Sequence, residues 1–305
     1  MNFTCPSSHV ADASPCYITA GIILIGIKFI PISLRVANLE ASQRFYQEVL
    51  GMQVHQGQDD QVWLGPPDGQ PVLGLQAAPG APRPVRNATG LYHVAYLYPS
   101  RQALGNALRR LVTMRWPLQG FADHLVSEAI YLADPEGNGI ELYRDRPRAE
   151  WRYNNGQVAM ATDPLDVDGV LAEASDAPEE HMPGGTSIGH IHLKVASTSQ
   201  GEAFYCQALG FDLMAHYGPS ASFVSAGGYH HHIGMNTWSS AGGPPPAPEA
   251  TGLAYYQLLL PNPTTLEEAL AHLEQAGIPA REVENGWLAR DPSSNAVLLS
   301  SHVII

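Results

Sequence analysis

Two periods of hydrophobicity take turns along the chain. Ile32–Val36 and Ile191–Val195 alternate apolar and polar residues at period two, as half-buried strands do. Each runs into a stretch whose large residues share one helical face: Phe45, Tyr46 and Leu50 after the first, Phe204, Tyr205 and Leu209 after the second. Gly51 and Gly210 follow as helix stops. Short strands come next, at Gln61–Leu64 and Val72–Gln76, then at Ala221–Ser225 and His231–Asn236. Tyr92–Tyr98 and Tyr255–Leu260 alternate again and lead to helices at Arg101–Met114 and Thr264–Ala276. The second of these opens on Pro-Thr-Thr-Leu-Glu-Glu, with the character of a capping box. Two strands close each stretch, the last at Ile140–Tyr143 and Ala296–Ser300. The pattern predicts an α+β fold of four βαβββ modules, each strand–helix–strand–strand–strand.

The modules come in two copies of a pair. FYQEVLG from Phe45 returns as FYCQALG from Phe204, 159 residues on. TGLYHVAYLYP from Thr89 returns from Thr251 as TGLAYYQLLLP, 162 residues on, and ADPEGNGIELY around Asp134 returns as RDPSSNAVLLS around Asp291, 157 on. Two tandem domains follow, 28–146 with modules one and two and 185–305 with modules three and four. Residues 1–27 form an N-terminal extension, of which 1–20 read as poorly ordered. The 147–184 linker is rich in Pro and Asp and holds a short helix at Val167–Ala174; Gly242–Pro248 reads as an extended surface loop.

Composition narrows the partners. A net charge of −13 with only two lysines, Lys28 and Lys194, argues against nucleic acid and against an anionic membrane. Ala20–Ile32 is apolar but too short to span a membrane, and Gly26, Lys28 and Pro31 break it. It lacks the basic start and small-residue cleavage site of a signal peptide, so its later part reads as the lead into the first strand. Three cysteines, Cys5, Cys16 and Cys206, do not make a disulfide framework. A reducing, cytoplasmic setting is expected. Self-association into a homo-oligomer stays open.

The repeated unit, its FY…LG helix ends and DPEGNGIELY resemble the vicinal oxygen chelate superfamily. HIHLKV, FVSAGGYHHHIGMN, DHLVSEAIYLADPEGNGIELYRDRPRAEW and PLDVDGVLAEA are similar to the bacterial catechol 2,3-dioxygenase type of extradiol ring-cleaving enzyme, from about residue 30 to the end. The resemblance implies that modules pair into curved sheets enclosing a divalent metal, with ligands from the first and last strands of a module. Two imidazoles and one carboxylate on one face of an octahedron suit Fe(II), with Mn(II) the alternative, and leave adjacent positions for a diol and O2. His93 opens the first strand of module two. Glu141 lies on its last strand, between Ile140 and Leu142, which point the other way. His190 and His192 share a face of module three's first strand. The family register, three residues before Leu193 as His93 stands before Tyr96, selects His190. Modules one and four offer Pro31, Tyr255 and Leu298 at these places, so that sheet should hold no metal. The site is expected to straddle the two halves.

Ring cleavage also needs proton traffic, and histidine titrates in the right range. His230, His231 and His232 stand together before Ile233. Strand parity counted from Ile233 and Met235 sends His230 and His232 into the cavity; the family's His-His strand favours His231, and the two readings stay open. Tyr131 lies ten residues before Glu141, the family's spacing for an active-site tyrosine, and His124 is expected at the mouth or over the metal. Asp134, Gly137 and Asn138 read as a turn. The implied activity is insertion of both atoms of O2 into a catechol, next to the diol, to give a hydroxymuconic semialdehyde. The implied partners are a small aromatic diol and O2. One rival is a non-redox lyase or isomerase of the same fold, using Mn(II), Ni(II) or Zn(II) and four protein ligands. The place matching Glu141 in module three falls near Gly234, which cannot ligate. The other rival is a small-molecule-binding module without turnover, for which a histidine cluster has no use.

Overall fold

The computed structural model describes residues 27–303, apart from residues 155 and 178. The expected extension, with Cys5 and Cys16, lies outside the described residues except for Ile27. Module one is β1 (Lys28–Val36), α1 (Leu39–Glu48), β2 (Gln53–Gln58), β3 (Gln61–Gly65) and β4 (Leu73–Ala77). Module two is β5 (Gly90–Leu97), α2 (Arg101–Thr113), β6 (Leu118–Asp123), β7 (Ser127–Ala133) and β8 (Gly139–Asp145). A short hairpin, β9 (Tyr153–Asn154) and β10 (Gln157–Val158), and α3 (Val167–Ala172) fill the connection. Module three is β11 (Ser187–Lys194), α4 (Thr198–Glu202), β12 (Asp212–Tyr217), β13 (Ala221–Ser225) and β14 (Ile233–Asn236). Module four is β15 (Gly252–Leu259), α5 (Pro263–Gln275), β16 (Arg281–Val283), β17 (Gly286–Arg290) and β18 (Ala296–Ser300).

Every module is wired alike. Its last strand lies parallel to its first, in the pairs β1–β4, β5–β8, β11–β14 and β15–β18, and its hairpin lies outside. First strands then pair antiparallel across the two halves of the chain, β5 with β11 and β1 with β15. Modules two and three thus share one curved eight-stranded sheet, and modules one and four share another. The bridge Phe29↔Ile188 joins the two.

Local chemistry sets the helix ends. The side chains of Asn38, Ser100 and Asn262 accept the first free N–H groups of α1, α2 and α5. In α5 the cap is therefore Asn262, with Pro263 in the first turn, one residue ahead of the expected start. The second half of module three's helix is wound as a π-helix, Ala203–Ala208, where the repeat predicts a plain helical face. Leu209 N–H there reaches back five residues to the Phe204 carbonyl. Among the described residues no helix is long and apolar enough to cross a membrane. Cys206 is a free thiol that burial, then Glu202 and Asp212, push up to about 12.

The helix aromatics do more than fill the core. The Tyr46 hydroxyl donates to Asp134 at 3.0 Å, and its repeat-mate Tyr205 donates to Asp291 at 3.1 Å. Each aspartate also accepts backbone N–H groups of its own turn, from Glu136 and Asn138 or from Ser293 and Asn295. The Asp-Pro turn thus anchors the helix of the preceding module to the hairpin of the next. Tyr46→Phe should lower the unfolding free energy by about 1.5–3 kcal/mol, the range for a hydrogen bond to a buried charged group. Urea denaturation measures it, and a loss under roughly 0.5 kcal/mol would show that the turn holds without the phenol.

Candidate metal centre

The site grows out of the register of three strands. Ala95 on β5 is flanked by Glu141 on β8 and by His190 on β11, and His93 pairs with His192. Neighbouring strands stand about 4.8 Å apart, so the Glu141 and His190 backbones are roughly 10 Å apart. Ala95 stops at Cβ. Its neighbours' longer side chains reach over it and meet, and His93 joins them from the same face of β5. Ile140 and Leu142 point to the core instead.

The three side chains are buried. Their donor atoms lie within 4.8 Å of one another. His190 Nε2 is 3.1 Å from Glu141 Oε2, and His93 Nε2 is 2.9 Å from the same oxygen but off line for a hydrogen bond. A buried imidazole nitrogen without a hydrogen bond, beside a buried carboxylate, is what a divalent cation would satisfy, and the two-nitrogen, one-oxygen set fits one. Burial pushes the Glu141 carboxyl up; the charge and hydrogen bond of His190, then His93, outweigh this and hold it well below the usual carboxylate range. Burial, with His93 and His230 adding, lowers His190 to about 4 against the opposing pull of Glu141. An ionised carboxylate and a neutral imidazole are the ligating forms. Among the described residues no second such group occurs.

His192 faces the same cavity but is spoken for. Its Nε2 accepts from the Asn236 amide at 3.0 Å, and its ring packs on Gly234, where a Cβ would lie 3.0 Å away. Gly234 stands beside His192 as Glu141 stands beside Ala95. The fourth ligand place is thus filled by a ring.

A cavity of about 450 Å³ opens above the cluster. Phe121, Val126, Met160, Phe223, Tyr92 and Trp238 make its walls largely apolar. On one side Tyr131 sits opposite Glu141 in the β7–β8 register. Its hydroxyl is 2.6 Å from His124 Nε2, and His124 Nδ1 donates to the Ala161 carbonyl at 2.6 Å. That second bond puts a hydrogen on Nδ1 and leaves Nε2 to accept from the phenol. Burial first, then the Glu141 charge, raises the Tyr131 hydroxyl well above its ordinary value and keeps its proton on.

On the other side His231 lines the cavity, its ring 4.1 Å from that of His190. His230 and His232 do not line it. His230 is buried beneath, with Nε2 2.8 Å from Asp145 Oδ1 and Nδ1 2.8 Å from His231 Nδ1. His232 turns to Ser225 and the Ala226 N–H. The parity argument for His230 and His232 fails because β14 begins only at Ile233; the lead follows a turn at Gly227 and Gly228, both with positive φ, and period two does not extend back through it. Burial, then His190 and His230, pushes His231 well below its ordinary value. Asp145 was absent from the expected site residues. Its signal was legible: it continues the Glu141 face of β8 at period two.

The other sheet presents Tyr255, Gln257 and Leu298 at the matching places, with Leu298 beside Gln257 in register. None supplies a comparable cluster.

Comparison with known proteins agrees with this architecture. The model of the Glyoxalase/Bleomycin resistance protein/Dioxygenase superfamily matches residues 28–142 and 187–295. The chain is 44% identical over 268 residues to a Bacillus subtilis (strain 168) protein named catechol-2,3-dioxygenase, spanning 87% of this chain and 94% of that one. Among solved structures, a candidate dioxygenase of Bacillus subtilis superposes with a TM-score of 0.62 at 14% identity, over 92% of this chain and 86% of its own. Glyoxalase I of Zea mays superposes with a TM-score of 0.56 at 14% identity, over 90% of this chain and 92% of its own. At such identities these two speak for the fold alone. The family match over most of the chain, joined to the four-module wiring, makes this chain a member of the Glyoxalase/Bleomycin resistance protein/Dioxygenase superfamily.

Proposed function

We propose that the chain is an extradiol ring-cleaving dioxygenase acting on catechol or a substituted catechol, with Fe(II) held by His93, Glu141 and His190. The observation that carries this is the convergence of three buried donors on the floor of an apolar cavity, flanked by two separate proton-carrying pairs. The relative named catechol-2,3-dioxygenase supports the same substrate class. Fe(II), when bound, supplies adjacent positions for both diol oxygens and O2 and passes charge between them.

The protein's own groups handle orientation and protons. The aromatic walls take a flat ring and exclude water. Tyr131, kept as a phenol by burial, donates a hydrogen bond to a substrate oxygen as charge develops there. Doing so frees His124 Nε2, which takes the proton the diol gives up on binding. His231 serves the opposite side of the ring. Asp145 holds the Nε2–H of His230, and one proton bridges His230 Nδ1 and His231 Nδ1. Burial disfavours a cation on His231. His231 therefore gives a proton up readily to a leaving oxygen, with Asp145 and His230 as positioning residues that hold its ring from beneath. The rival lyase reading needs a fourth ligand, and the ring of His192 over Gly234 argues against it.

His93→Ala, Glu141→Ala and His190→Ala should each lose most bound iron and the yellow ring-cleavage product, because three ligands leave none to spare. Leu298→Ala should keep its metal content. Metal analysis after anaerobic Fe(II) loading is the measurement, and stoichiometric iron in Glu141→Ala would overturn the ligand set.

His231→Phe should retain iron yet turn over roughly 10²-fold more slowly, the usual scale of acid–base help. Asp145→Asn should move the acidic limb of the pH–rate profile as well as its height. Wild-type rates in His231→Phe would remove the relay from the reaction.

The metal-free protein should also be acid-labile. His190 is lowered to about 4 and His232 to about 3, both chiefly by burial. Their unfolded forms bind protons near pH 6.5 while the folded forms do not, so stability falls as pH drops through this window. One unit of such a shift is worth about 1.4 kcal/mol. Thermal unfolding of the metal-free chain from pH 7 to pH 4 should show a steep fall, and a flat profile would contradict it.

A further inference from the structure

A second cavity, of about 620 Å³, shares no lining residue with the one over the metal centre and draws on both repeats. Repeat-mates line it in pairs: Arg35 with Lys194, Thr89 with Thr251, Gly90 with Gly252, and Asn138 with Asn295. Two loops close over it and trade backbone bonds, Thr89 N–H to the Pro244 carbonyl and Thr251 N–H to the Pro82 carbonyl, each at 3.0 Å.

Its charge is the reverse of the chain's. Arg35, Arg83, Arg86, Lys194 and Arg290 line it against a single carboxylate, Glu136, in a protein of net charge −13. Glu136 Oε1 is already taken by the Asn38 N–H at 3.0 Å. Lys194 is half-buried and has neither a hydrogen bond nor an ion pair among the described residues; burial lowers its ammonium. Arg35 spends one Nη on the Pro248 carbonyl at 2.6 Å, while its buried Nε has no partner. Burial first and then Arg290 lower its guanidinium, against the weaker pull of Glu249. Each of these two cations stands opposite a glycine in its strand pair, Lys194 opposite Gly90 and Arg35 opposite Gly252. Both glycines have positive φ, 130° and 111°, which a larger residue would adopt only under strain. No side chain at those positions screens the cations from the cavity.

Lys194 and Arg35 are the two half-buried cations of the cleft; Arg83, Arg86 and Arg290 are exposed, and Arg290 donates one Nη to the Ser294 carbonyl at 2.8 Å. A half-buried cation with an unfilled donor costs free energy that a bound anion recovers. We propose that this cleft is a binding site for a small multivalent oxyanion, phosphoryl or carboxylate, seated between Lys194, Arg35 and Arg290. Guanidinium forks suit either oxyanion, and the volume exceeds what a single phosphate fills. Occupancy would reach the strand ends of the metal centre. Gly90 stands three residues before His93, and Asn138 three before Glu141.

The test is calorimetric titration of the full chain at low ionic strength with pyrophosphate and, separately, citrate. The expected result is one site per chain for at least one of them, weakening as sodium chloride is raised. Binding of pyrophosphate alone assigns a phosphoryl ligand, of citrate alone a carboxylate one, and of both a site that reads charge. Lys194→Met should raise Kd at least about tenfold, the scale of one charge-assisted contact, whereas Arg44→Met, outside the cleft, should not. Lys194→Met removes an unpartnered charge, so without anion its unfolding temperature should equal or exceed the wild type's, while the anion-dependent rise should shrink. Binding equally tight in Lys194→Met and in Arg290→Met, or no binding of either probe by the wild type, would overturn the proposal.

Discussion

The antiparallel pairing of β5 with β11 is the constraint on which the centre of this protein depends. Those strands come from different halves of the chain, and their register puts His190 across Ala95 from Glu141. A slip of one residue would turn His190 to the opposite face and bring Ile191 into the cavity. Ala95 matters as much as the ligating types around it. A larger side chain there would stand between Glu141 and His190, and the carboxylate would lose the imidazole hydrogen bond that holds it ionised in a buried place.

The candidate proton carriers fall on either side of that row for the same reason. Tyr131 is Glu141's partner on the next strand outward, and His231 arrives from the lead into β14, beside His190. Each is held by something further away. His124 takes its tautomer from the Ala161 carbonyl, in the connection between the halves. His231 takes its bridge from His230, and His230 from Asp145 at the end of β8. The connection is therefore part of the site and does more than join two halves.

Much of this was legible in the chain. The four modules could be read because helix aromatics and strand alternation recur at nearly constant offsets, and comparing copies singles out His93 and Glu141; the choice of His190 over His192 rested on the family resemblance. What could not be read lies where the backbone leaves regular periods. The turn at Gly227 and Gly228 breaks the two-residue count, so His231 faces the cavity where parity favoured its neighbours. The π-helical stretch at Ala203–Ala208 has no signature that separates it from an α-helix. Non-local contacts such as His124 with Ala161 carry no periodic signal at all.

The two sheets show what the shared backbone does and does not require. Both build an eight-stranded cup from the same wiring, and both anchor a helix tyrosine on a turn aspartate. Only one gathers three buried ligating groups. In the other, Gln257 stands where Ala95 does; its amide N–H groups donate to Ser300 and to the His302 carbonyl, while its Oε1 is buried without a partner. The first leaves a His93 nitrogen without a hydrogen bond beside a buried carboxylate, an arrangement that favours binding over folding. The fold tolerates this because the tyrosine–aspartate anchors and the hydrophobic core lie on the far face of the sheets, where the repeats remain alike. Conserving the wiring on one face frees the other to differ between copies, and that difference places the candidate chemistry in one cup alone.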